Sequence, residues 1–271
     1  MTVRDAGGQD AGRSLELLWG GGKRPERKSR PALSLERIVE AAIELADAEG
    51  IGGLSMQRLA ERLGFTTMAL YRYVPGKAEL IDIMVDAACG EPPELGGAAG
   101  DWREKLELWA RESYGLFVRH PWMLQVVTSR RLMGPNELAW FDSGLGAVSG
   151  IDLTGEEMVE ILILVNAYLR GLAQVLVDVA RAERATGVSE GRWYSAYEPL
   201  LKRFDREERY PALRGILAEG AFDEADDGSD PDDTVEFGLQ RVLDGVEALV
   251  LARSTQPESR WPGRLLFEPT S

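Results

Sequence analysis

The sequence predicts an all-α protein of two unequal parts, a small N-terminal head built on a helix-turn-helix and a larger C-terminal helical body. Three observations carry that prediction. Apolar residues recur at helical spacing in segment after segment, each opened by a capping residue and closed by glycine or proline. No alternating β-branched run with hairpin turns occurs anywhere in the 271 residues. Two short helices flank a glycine turn at Gly64, the arrangement of a helix-turn-helix.

Residues 1–32 are rich in Gly, Arg, Asp and Ser and hold too few apolar side chains to order themselves. Ser34 then caps a first helix in which Ile38, Ala42, Leu45, Ala46 and Glu49 recur at helical spacing until Gly50 ends it. Ser55 caps a second, about two turns long, whose inner face is Met56, Leu59, Ala60 and Leu63. Thr66 or Thr67 caps a third through Tyr73, and Pro75-Gly76 breaks it. A fourth runs from Lys77 to Ala88 with Leu80, Ile81, Met84 and Val85 inward.

A Gly, Pro and Ala-rich linker, residues 90–100, ends the head at 33–90 and opens the body at 101–253. Body helices are expected at Trp102 to Arg119, Trp122 to Arg131, Asn136 to Ser149, Glu156 to Ala185, Trp193 to Phe204, Pro211 to Ala218 and Val235 to Arg253. Residues 254–271 read as a Pro-interrupted, poorly ordered tail.

The formal net charge of −14, from 45 acidic and 31 basic residues, excludes a surface coated in nucleic-acid-binding charge, so any DNA contact must come from a local patch. One such patch is Lys23, Arg24, Arg27, Lys28 and Arg30, facing the single acid Glu26. The lone Cys89 excludes an intrachain disulfide and a thiolate cluster, which fits a reducing, cytoplasmic setting. No signal-peptide pattern opens the chain, so export is not expected. The most apolar stretch, Met158 to Ala180, carries Asn166, Arg170, Gln174 and Asp178. A charge near a bilayer centre costs at least about 2.5 kcal/mol, so this reads as a buried helix with no membrane partner.

Across Ser34 to Val85, "LAERLG", "ALYRYV" and "KAEL" fall together at fixed separations, and in that text the chain resembles the tetracycline-repressor (TetR) family. In the body, "WREKLELWARESYGLFVRHPWM", "NAYLRGLAQ" and "EFGLQRVLDGVEAL" resemble the family's C-terminal domain more softly. The resemblance implies a homodimeric transcriptional regulator that binds a double-stranded operator and a small-molecule effector. It implies no catalytic cofactor and no metal.

In that family the third helix lies in the major groove, where base edges present a distinct pattern for each pair. If Leu70 points into the head core, Met68 and Arg72 point farthest away, with Ala69 and Tyr71 on the flanks. Arg72 can donate two hydrogen bonds to guanine, Met68 and Ala69 can touch a thymine methyl, and Thr66 and Thr67 stand at the helix start. Tyr71, Tyr73 and Lys77 match positions that contact the DNA backbone or groove edge; Gln57 and Arg58 lie in the second helix's first turn, which also touches DNA. Read without the motif, both tyrosines are core aromatics, and for Tyr73 the two readings stay open. The Lys23 to Arg30 arm is either solvated or follows the minor groove.

The last helix and Glu156 to Ala185 are implied to build the dimer interface, and Val235, Leu239, Val242, Leu243, Val246, Leu249 and Val250 form an apolar stripe beside Gly238 and Gly245. The expected ligand contacts are Trp109, Trp122, Asn166, Tyr168 and Arg170, most of the body's other aromatics being ordinary core. The helix Lys77 to Ala88 would transmit ligand binding to the head.

A rival reading is an all-helical enzyme of isoprenoid type, because Asp226, Asp227 and Asp230 match a DDxxD diphosphate motif. That chemistry needs carboxylates on a helix facing a cavity. These lie in a run from Glu219 to Glu236 with nine acids and no base, broken by Gly228, Ser229 and Pro231, which reads as a solvated loop. His120, the only histidine, has no Ser or Asp companion motif and sits at a helix junction, so its expected role is structural or ligand-orienting.

Overall fold

The computed structural model describes residues 17–20, 33–96, 101–127, 133–189, 191–193, 195–196, 199, 210–219 and 231–255. Among these the elements are all helical: α1 (Leu35–Glu49), a 3-10 turn (Ile51–Gly53), α2 (Met56–Leu63), α3 (Thr67–Leu70), α4 (Lys77–Cys89), α5 (Trp102–Arg119), α6 (Met123–Val126), α7 (Pro135–Ala147), α8 (Gly155–Thr186), α9 (Pro211–Ala218) and α10 (Pro231–Thr255). The basic run 23–30 and the acidic cluster Asp226, Asp227 and Asp230 lie outside the described residues, as does most of the expected helix Trp193 to Phe204. Within the arm, a helical turn at 17–19 buries Leu18, which the composition did not anticipate.

The head's boundaries follow from its caps. Ser34 Oγ accepts from Arg37 N, Ser55 Oγ from Arg58 N and Thr66 Oγ1 from Ala69 N, each satisfying an amide that a helix start leaves unpaired. Gly64 adopts φ 75° and ψ 30°, a left-handed conformation that returns the chain into α3. The helix α3 is shorter than expected and ends at Leu70. The chain keeps turning through Tyr73, with Tyr71 N bonded to Thr67 O at 3.0 Å and Tyr73 N to Leu70 O at 2.9 Å.

Two cores form. The first joins Ile38, Leu45, Leu59, Leu70, Val74, Leu80 and Met84 of the head to Phe117, Trp122, Met123, Leu124 and Ala173 of the body. The second is the body's own, with Leu106, Trp109, Trp140, Leu162, Val165, Leu169, Leu239 and Leu243 at its centre. Tyr114 of α5 packs against both, so α5 is the spine that connects them. Gly144 of α7 lets that helix approach α5 and α8, because an added Cβ would meet the Trp109 ring at 2.9 Å and Leu162 at 3.0 Å.

Part of the apolar stripe of α10 turns inward. Val235, Leu239, Leu243 and Val246 are buried in the second core, and Gly238 exists because Tyr168 occupies the space a Cβ would need. A single chain must cover α5 and α8, and α10 is the helix that does so. The expected helix from Trp122 is likewise corrected to Met123–Val126, with residues 128–132 outside the description.

Polar groups staple the helices. Gly134 has no side chain to cap α7, and Asp86 of α4 does so instead, its Oδ1 accepting from Glu137 N at 3.1 Å. Trp140 Nε1 donates to the carbonyls of Cys89 and Gly90 at 3.1 Å, which fixes the end of α4 on α7. Arg103 of α5 reaches Asp244 at 2.6 Å and Glu247 at 3.0 Å on α10.

At the other end of α10, Arg253 pairs with Glu157, which also completes a capping box with Thr154. Burial pushes the Glu157 carboxyl up, but the Thr154 N–H, Arg253 and the Thr154 hydroxyl together outweigh it and hold the group below the ordinary glutamate value. A carboxyl lowered on folding contributes stability above its unfolded pKa and loses it as pH falls through the folded value. Urea unfolding midpoints should therefore drop on acidification below the ordinary glutamate range, and Glu157→Gln should flatten that part of the profile while lowering stability at neutral pH. An unchanged profile would assign the acid sensitivity elsewhere.

Candidate nucleic-acid interface

The outward side of the head is set by what its core takes. Leu70 is fully buried, so the side chains around it are distributed by helical geometry as Met68 72% exposed, Tyr71 43% exposed, Arg72 exposed, and Ala69 and Thr67 half-buried. Phe65 at the turn is also exposed. These residues form a continuous face with an apolar part and one cation.

Several of the expected interface residues have other work. Arg58 donates to Glu49 Oε1 at 2.7 Å and Gly53 O at 2.9 Å, and this guanidinium holds the Glu49 carboxyl below its ordinary value. Gln57 donates to Glu61 at 3.0 Å. Lys77 Nζ donates to Leu54 O at 2.7 Å and Ile51 O at 3.3 Å, so it ties the start of α4 to the 3-10 turn. Thr66 is spent on capping, and Tyr73 is half-buried with its hydroxyl donating to Leu33 O at 2.7 Å. Arg62 pairs with Glu44 at 2.8 Å. Arg72 differs from Arg58 and Arg62: it makes no ion pair or hydrogen bond among the described residues.

The five expected ligand contacts do not converge. Trp109 is buried in the second core with its indole N–H on Trp140 O at 2.9 Å. Tyr168 lies at the α8–α10 contact and donates to Val235 O at 3.0 Å. Arg170 donates to Leu124 O at 2.8 Å, holding α6 onto α8, while Asn166 is exposed. Trp122 is 1% exposed and belongs to the first core, on the head side, whereas Trp109 belongs to the second.

Sequence reasoning missed Ser113, which is buried on α5 with its Oγ lacking a hydrogen-bond partner among the described residues. It missed Asp47 as well, which accepts from both Trp122 and His120. Ser113 falls on the buried stripe of α5 with Leu106, Trp109 and Ala110, and that spacing was the available signal. Asp47 is one exposed acid among several on α1 and carried none.

No group of three or more His, Cys, Asp or Glu able to hold a metal occurs among the described residues.

Residues 38–83 match the family model described as bacterial regulatory proteins of the tetR family, and residues 93–250 match the tetracyclin repressor-like C-terminal domain. The chain is 42% identical over 256 residues to the HTH-type transcriptional repressor DrrR1 of Streptomyces coeruleorubidus, covering 93% of this chain and 91% of that one. It is 26% identical over 213 residues to the class A tetracycline repressor from Escherichia coli, covering 77% and 88% respectively. Among solved structures, Streptomyces coelicolor ActR in complex with actinorhodin superposes with a TM-score of 0.67 at 25% identity, covering 82% of this chain and 98% of that one. Relatives matched over most of the chain are regulators, which overturns the isoprenoid-enzyme alternative. With both its head and its body matched, the chain is a member of the TetR family of transcriptional regulators.

Proposed function

We propose that this regulator is a cytoplasmic, two-fold homodimeric repressor that reads a near-palindromic operator through α3 and leaves it when a small effector binds the body. The observation that carries the reading is the outward face of α3 and the turn after it, where Arg72, with no ion pair or hydrogen bond among the described residues, stands beside exposed Met68 and Tyr71. A guanidinium with its donors uncommitted can bond two acceptors on one guanine edge, whereas Arg58 and Arg62 must first leave Glu49 and Glu44. Thr67, Met68, Ala69 and Tyr71 supply the apolar and polar contacts around it, while Gln57, Arg58, Thr66, Tyr73 and Lys77 hold the face in place or reach the backbone after rearranging. Gel-shift titration of Arg72→Ala should show a loss of about 1 to 3 kcal/mol and a relaxed preference at one base position. Wild-type affinity and specificity in that variant would refute base readout by Arg72.

The dimer reading rests on apolar surface that one chain leaves open. The most apolar window of α8 is only 28% buried, and Ile163, Leu164 and Val175 stand out from it. Phe237 and Leu251 do the same on α10. Exposed apolar side chains on these two helices are suited to a second copy, and two short recognition helices about 34 to 36 Å apart would meet successive turns of one groove. Sedimentation should give a dimer at micromolar concentration and a shift toward monomer for Leu164→Glu. A wild-type monomer would remove the two-fold reading.

Support for an effector comes from ActR, which was crystallised with actinorhodin, and from Ser113, whose buried hydroxyl is available to a ligand's polar group. An effector weakens DNA binding only by favouring a different arrangement of the heads. Thermal-shift screening with actinorhodin and apolar drug-like compounds should find stabilising binders, and these should release operator DNA in a gel shift. Binders that raise the melting temperature yet leave operator affinity unchanged would disprove the coupling.

A further inference from the structure

We infer that Asp47, Trp122 and His120 form a positioning clasp that sets the orientation of the head on the body, and thereby the operator half-site spacing that the protein accepts. The inference rests on the two-fold reading above. Asp47 stands on α1, in the head. One of its carboxylate oxygens accepts from Trp122 Nε1 at 2.7 Å and lies 2.9 Å from His120 Nδ1. A carboxylate only accepts, so the His120 hydrogen must be on Nδ1. Both donors come from the corner between α5 and α6, where His120 ends α5 and Pro121 fixes the turn.

The corner is rigid on the body side. Met123 N bonds to His120 O at 2.9 Å, Arg170 of α8 donates to Leu124 O at 2.8 Å, and the Trp122 ring is 1% exposed in the first core. The two rings lie 6.1 Å apart, tilted by 58°, so each limits the other's rotation. Asp47 in contrast has a side chain 32% exposed, and nothing about α1's own packing calls for an acid there. Its charge is explained by the buried indole N–H, which has this carboxylate as its partner and would otherwise be an unsatisfied donor.

Beside the shared apolar core, hydrogen bonds hold the head to the body at two places. One is the end of α4, which Asp86 and Trp140 fix on α7. Apolar packing is non-directional, and bonds at the end of one helix define rotation about its axis only weakly. The clasp is a second, directional contact, on α1 away from α4's axis, and an axis with one point off it defines an orientation. For a pair of heads reading inverted half-sites, orientation of each head is what selects spacing. Inserting two base pairs moves one half-site by roughly 7 Å and turns it by roughly 70° about the duplex axis, which a fixed head cannot follow.

The test uses the full chain. Duplexes selected by the wild type from random DNA are rebuilt with spacers two base pairs longer or shorter, and affinity is measured alongside that for an isolated half-site. The wild type should discriminate between spacings by about tenfold or more, and Trp122→Phe, which keeps an aromatic ring of smaller volume and loses the N–H, should reduce this to about threefold or less. Asp47→Ala should act alike, and Asp47→Asn, which retains an accepting oxygen, should remain near wild type. Half-site affinity should not change in any of them. A merely stabilising contact would lower all affinities together and leave the spacing ratio intact. If Trp122→Phe folds with wild-type helicity and keeps the wild-type ratio, the clasp is disproved while the dimer stands. If the wild type itself has no spacing preference, both the two-fold reading and the clasp fall. Should Asp47→Ala not fold, Trp122→Phe decides alone.

Discussion

The structure depends on a core that the head cannot complete by itself. Helices α1 to α4 are too short to enclose Ile38, Leu45, Leu80 and Met84 on every side, since small domains bury a low fraction of their surface. Phe117, Trp122, Met123, Leu124 and Ala173 close that core from the body. The consequence is mechanical coupling. Side chains packed at crystal-like density transmit displacement, so a shift of α5 or α8 is felt under α3 without any loop having to carry it.

Charge is arranged by the same economy. The chain carries a net charge of −14, yet the basic side chains of α2 sit against acids of α1, Arg58 on Glu49 and Arg62 on Glu44. Exposed pairs of this kind add little stability, and their effect here is to neutralise the flank of the head. Arg72, two residues past the Leu70 anchor, makes no ion pair or hydrogen bond among the described residues.

The body divides its helices between inside and outside. The charged residues of α10 hold it to α5 through Arg103 and to α8 through Arg253, while Leu239 and Leu243 fill the core. That leaves Phe237 and Leu251 on α10, and Ile163, Leu164 and Val175 on α8, exposed among the described residues. Buried polar groups are few, and most are committed to caps, as Asp86 and Glu157 are. Ser113 is the exception among the described side chains in the body's core helices, a hydroxyl kept where an alanine would pack as well.

By itself the sequence determined the helical class, the caps at Ser34 and Ser55, a cap at Thr66 or Thr67, the turn at Gly64 and the outward direction of Met68 and Arg72. These are local properties, written in capping chemistry and in a period of 3.6 residues, and they need no knowledge of neighbours. The resemblance across Ser34 to Val85 marked the family's N-terminal domain, and residues 38–83 match its model. Tertiary structure alone decided which face of α10 turned inward, that Lys77 and Tyr73 brace the head, that Trp122 joins the head's core while Trp109 joins the body's, and that His120 meets Asp47 across 73 residues. An apolar stripe looks alike whether its own chain or a second one covers it, and a lysine's partner carbonyls carry no residue-type signal. Such choices are made by which helices are adjacent, and adjacency is a property of the packed chain.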